Sequence, residues 1–186
     1  MAKVIPFSRK FPAYHIQSGM PTYFVEKMLN ALKIKFYEQE YFEWLVQNNP
    51  ERNQSELTDF YQSLNKNIVD EKFHTVRQGK THKQGQMFSP RIWIDKPYHS
   101  NQIKFAPDQE IKKLIDVEIY LKDNAIKVEL GHNNEKNNVT SRLLNSSLIA
   151  MNDGLIFYDF YEWFLPYIKK EKVQMKIIMW TDSINY

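Results

Sequence analysis

Ile115-Asp116-Val117-Glu118-Ile119-Tyr120-Leu121-Lys122-Asp123-Asn124-Ala125-Ile126-Lys127-Val128-Glu129-Leu130 alternates apolar and polar residues on both sides of Asp123-Asn124. A period of two marks a half-buried strand, and the Asp-Asn step between two such runs predicts a β-hairpin. Toward the C-terminus, Val173, Met175, Ile177 and Met179 repeat the pattern around Gln174 and Lys176. Toward the N-terminus the same period begins near residue 73, and Phe88, Ile92 and Ile94 alternate with Ser89, Arg91 and Trp93. Pro90 in that run predicts an edge or bulged strand, since proline donates nothing to a ladder.

Outside these stretches the period lengthens to that of a helix. Pro21 suits an opening turn ahead of Phe24, Met28 and Leu32. Tyr37, Tyr41, Trp44 and Leu45 give a second helix, broken at Gln47-Asn48-Asn49-Pro50; Ser55 reads as the N-cap of a third over Leu57, Phe60, Tyr61 and Leu64. Leu144, Leu148 and Met151 suggest a fourth. Phe157, Phe160, Tyr161, Phe164 and Leu165 form a core stripe ended by Pro166. Strands flanked by helices without strict βαβ alternation predict an α+β fold with a mostly antiparallel sheet or small barrel.

The chain has 186 residues, 42% hydrophobic and 25% charged, which predicts one compact domain over residues 1–186. It has no Cys, which excludes disulfides, thiolate catalysis and Cys-ligated metal. No apolar run approaches the roughly 18–20 residues of a membrane span. The start, Met1-Ala2-Lys3-Val4-Ile5-Pro6, has no signal-peptide core. A cytoplasmic protein without membrane attachment is expected, in which the Asn-x-Ser/Thr triplets at Asn53, Asn138 and Asn145 carry no glycans. Gly79-Lys80-Thr81 lacks the first glycine of a phosphate loop, and the five His (His15, His74, His82, His99, His132) show no metal-binding spacing. No cofactor and no metal site are expected.

The net charge is only +3, but it is unevenly placed. Residues 38–71 are acid-rich, whereas Lys72, Arg77, Lys80, Lys83, Arg91, Lys96 and Lys104 are opposed only by Asp95 in their stretch and are interleaved with Trp93, Tyr98 and Phe105. Cations among aromatics are what a phosphate-binding, base-stacking surface requires.

Lys72-Phe73-His74-Thr75-Val76-Arg77, followed by Lys83-Gln84-Gly85, resembles the hallmark of the ASCH family of PUA-like domains: a Lys, two residues, Thr, one residue, Arg, then a basic-x-Gly turn. Asn152-Asp153-Gly154-Leu155 with Asp159-Phe160 and Trp163-Phe164 is similar to the family's acidic turn into its last helix. The segments around Phe11–His15 and Pro21–Lys27 resemble a longer branch found in bacteria and their phages. The resemblance covers roughly 1–34 and 72–181, leaving 36–71 as an inserted helical pair that docks a protein partner or folds over the cleft. Glu71 replaces a common Gly, and Gln86 a common Asp.

The resemblance implies a small PUA-like β-barrel with flanking helices, binding RNA or a modified nucleoside in a basic cleft. Arg77, Lys83 and Arg91 would meet phosphate or base edges, while Trp93 and Tyr98 stack on bases. One bacterial branch is an amidohydrolase that deacetylates 4-acetylcytidine with a Thr, a Lys and a Glu. Its Thr and Lys match Thr75 and Lys72; its Glu matches the shorter Asp153, with Glu118 as the substitute acid. A Thr hydroxyl attacks only when a neighbouring base takes its proton. In a strand, residues three apart face opposite sides, so Lys72 and Thr75 converge only if Lys72 precedes the strand, whereas Thr75 and Arg77 share a face.

Overall fold

The computed structural model describes residues 2–79, 81–131, 142–169 and 171–186. Expectations placed on Lys80, His132 and Asn138 lie outside those residues. The elements run β1 (Lys3–Phe7), α1 (Phe24–Ala31), α2 (Gln39–Asn48), α3 (Gln54–Gln62), β2 (His74–Arg77), β3 (Met87–Trp93) and β4 (Gln102–Lys104). They continue with β5 (Gln109–Glu110), β6 (Lys113–Lys122), β7 (Ala125–Leu130), β8 (Leu143–Leu144), α4 (Ser146–Asn152), α5 (Phe157–Ile168) and β9 (Val173–Met179). They gather into two compact units: residues 1–11, 19–72 and 87–109, and residues 12–18, 73–86 and 110–186.

In the first unit β3 is central, with β1 parallel on one side and β4 antiparallel; β5 also pairs with β3. The expected edge strand is therefore an interior one. Pro90 lies at the end of the β4 pairing: its carbonyl accepts from Phe105 N–H at 3.2 Å, and Phe105 O takes its hydrogen bond from the Tyr41 hydroxyl at 2.8 Å, so the N–H that proline lacks leaves that carbonyl satisfied. Ile5, Phe7, Phe88, Ile92, Ile103 and Phe105 are buried, with the Phe7 and Phe105 rings edge to face at 5.5 Å.

Buried Asn49, just past α2, finishes the outer edge of β4. Its amide donates to Lys104 O at 3.0 Å and its Oδ1 accepts from Lys104 N–H at 2.7 Å, as a strand neighbour would. Leu45, Leu57, Phe60 and Leu64 are buried, so α2 and α3 pack into this unit. The N-cap of α3 is Asn53, which accepts from Glu56 N–H at 2.8 Å; Ser55, expected in that role, donates instead to Asn53 Oδ1.

The second unit holds a five-stranded antiparallel sheet, ordered β2-β9-β6-β7-β8. The hairpin closes with Lys122 opposite Ala125, and Asp123 and Asn124 both take positive φ (52° and 56°), as a two-residue I′ turn demands. Val117, Ile119, Ile126, Val128, Met175 and Ile177 are buried; α4 packs on β7 and α5 on β6. Asn145 caps α4 through Ser147 N–H and Leu148 N–H, both at 3.1 Å. Leu144, expected in that helix, lies in β8. Pro166 sits inside α5 rather than ending it, because buried Phe164 and Ile168 carry the last turn past it.

The α+β class thus stands, with five helices and two sheets. Among the described residues neither sheet closes into a barrel, and no helix is long and apolar enough to cross a membrane.

Candidate functional site

Thr75 lies on the edge strand β2, only 4% exposed, opposite Ile178; Arg77 follows on the same face opposite Lys176. Carrying the register across β9 to β6 places Asp116 beside Lys176 and Glu118 beside Gln174. This face is therefore a polar ladder. Lys176 is ion-paired to Asp116, which offsets its like-charge neighbour Arg77. Glu118 accepts from the Gln174 amide and lies 3.5 Å from Lys172 Nζ. Glu118 is two strands and four residues away from Thr75, roughly 16 Å at ordinary strand spacings. The register does not bring this pair together.

The opposite face of β2 carries His74, which is fully buried. Tyr186 Oη lies 2.7 Å from His74 Nδ1, a hydrogen bond whose direction follows the His74 tautomer, and accepts from Asn152 Nδ2 at 3.0 Å. Burial raises the Tyr186 phenol, and the Asp153 carboxylate raises it further. Phe73 N–H donates to Asn152 O at 2.9 Å, pinning the start of β2 to the end of α4. Asp153, 5% exposed, is the C-cap of α4, and alternation sends His74 and Thr75 to opposite faces of β2.

Lys72 precedes β2 and belongs to the first unit. Its side chain is 1% exposed, with Nζ 4.1 Å over the Phe24 ring, a cation–π contact that compensates part of its desolvation. Its N–H donates to Lys27 O at 3.0 Å. Lys83 opens an exposed turn in the second unit, in which Gln86 Oε1 accepts from Lys83 N–H at 3.2 Å. Gln86 thus closes this turn with its own side chain.

The remaining residues lie in the first unit. Arg91 and Trp93 share one face of β3; Lys104 is directly across from Arg91 and Gln102 from Trp93. Arg91 Nε donates to Ser89 Oγ at 3.3 Å, and Lys104 Nζ meets Asp108 at 2.8 Å. The β3–β4 loop is tied by Ile94 N–H to Asn101 O (2.9 Å) and by Asp95 N–H to Ser100 Oγ (3.1 Å). At its tip Tyr98 adopts a left-handed conformation (φ 65°) and stands 82% exposed, with its ring 5.5 Å from that of Trp93.

The expected binding residues are thus divided between the units, Arg91, Trp93 and Tyr98 in one and Arg77 and Lys83 in the other. Sequence reasoning placed Lys104 among the cations of its stretch but not opposite Arg91, which the β3–β4 register supplies. It missed the Tyr186–His74 pair, whose residues are too distant in sequence for any spacing rule. Among the described residues no group of three His, Asp or Glu is placed to hold a metal ion. No protein-family model, curated protein or solved structure matches the chain.

Proposed function

We propose that this chain is a nucleic-acid- or nucleoside-binding module of the ASCH, PUA-like kind, working through the Arg91–Trp93–Tyr98 face of its first unit. One observation carries the reading: two cations, Arg91 and Lys104, face each other across strands beside half-buried Trp93 and exposed Tyr98. Like charges directly opposite destabilise a sheet; Asp108 offsets the charge of Lys104, and an anionic ligand would offset that of Arg91. Tyr98 and Trp93 offer ring faces at the same end, which suits unstacked bases and not a closed duplex. The ligand class is single-stranded RNA or a modified nucleoside. The Lys72–Thr75–Arg77 motif, and not a closed barrel, is what ties the reading to the PUA-like family.

The test is a salt titration of single-stranded RNA binding. Tyr98→Ala is expected to cost about 1–3 kcal/mol, the usual worth of one stacked base. Arg91→Ala should flatten the plot of log affinity against log salt by about 0.7, one phosphate contact on a single strand. Affinity independent of salt in the native chain overturns the proposal. Incubation with 4-acetylcytidine separates the competing chemistry: turnover lost in Thr75→Ala would replace binding by amide hydrolysis.

A further inference from the structure

The first turn of α2 borders a mainly apolar cavity of about 350 Å³ in the first unit, lined by Ile34, Pro107, Tyr41 and Trp44, with Glu38 and Glu40 at its edge. That volume is within the range of small-molecule sites. Tyr41 and Trp44 are three residues apart on α2, so their side chains leave the helix on one side. Their planes are 12° from parallel, with centroids 6.1 Å apart. Tyr41 is held in place: its hydroxyl donates to Phe105 O at 2.8 Å, and burial raises the phenol well above its ordinary range, so it stays neutral. The wall is a fixed π surface.

The charges around it are unbalanced. Lys35 also lines the cavity, but its ammonium is engaged by Glu38 at 3.0 Å, and that hydrogen bond raises its pKa. Glu40 forms no ion pair among the described residues. Two carboxylates against one ammonium leave a negative surplus beside the Tyr41 and Trp44 rings, which repels anions and gives a neutral guest only apolar contact. A cation gains both the ring quadrupole and the carboxylate.

We propose that this cavity binds a small organic cation, an ammonium or guanidinium on a compact apolar body. The site uses none of the residues of the RNA reading, so either can fail without the other.

The probes are choline and its neutral isostere, with a tert-butyl group in place of trimethylammonium. The readout is the indole N–H resonance of Trp44, assigned by its loss in Trp44→Phe. Choline should shift it saturably, and the isostere should bind at least about tenfold more weakly. Glu40→Gln, a change on the exposed rim that leaves the core intact, should weaken choline several-fold and leave the isostere unchanged. Equal affinity for the two probes overturns the proposal, as does a Trp44 resonance that choline does not move or an affinity that Glu40→Gln leaves intact.

Discussion

Asn53 and Asn145 each begin an Asn-x-Ser triplet, and each spends its side chain on the backbone of the helix that follows. The first N–H groups of a helix have no internal partner, and a short oxygen-bearing side chain at the cap supplies one. Asn53→Ala and Asn145→Ala are each expected to cost about 0.5–2 kcal/mol, whereas Gly at either site should cost only a few tenths. Urea unfolding with an unchanged slope checks both. Asn49 is a different case. Its side chain satisfies both backbone groups of Lys104 and also donates to Leu45 O at 2.9 Å, so it joins the end of α2 to the edge of β4.

At the scale of elements, α5 shows what carries stability. The Phe160 and Phe164 rings meet tilted, 4.7 Å between centroids, and are buried, so Phe160→Ala should destabilise by about 3–5 kcal/mol, read as a lower urea midpoint. The hairpin was legible because alternation runs from Ile115 to Leu121 on one arm and from Ile126 to Leu130 on the other, which leaves little choice of face. β1 was not, because Lys3–Phe7 is short, contains a proline and pairs in parallel with a strand more than eighty positions away. Pro90 and Pro166 misled because the cost of each proline is offset by contacts remote in sequence, the Tyr41 hydroxyl at Phe105 O for one and the burial of Phe164 and Ile168 for the other. For the site, Thr75 and Arg77 were legible as one face. The separation of Thr75 from Glu118 was not, since it depends on register through β9.

Across the whole molecule, buried phenols set the alkaline limit. Tyr41 and Tyr186 are raised above the ordinary tyrosine range, in both cases chiefly by burial. In the unfolded chain they ionise near pH 10. Above that pH the unfolded state holds fewer protons than the native one, so stability is full below about pH 10 and falls as pH rises. Urea midpoints should therefore drop between about pH 9.5 and 11.5, less steeply in Tyr41→Phe than in the native chain. A parallel fall in both would assign the effect to other groups.

The strand order of the second unit has a consequence for synthesis. β9 lies between β2 and β6 yet follows both in the chain, with His74 and Lys113 both waiting for Met179. As the polypeptide leaves the ribosome, β2 and β6 emerge with bare edges toward a gap that no residue yet made can fill. Unpaired edges recruit other chains, and pairing across such sequence distances is slow. The nascent chain therefore passes through an interval in which its sheet is open at the centre, and chaperone dependence should be concentrated there, ending when Val173–Met179 arrives.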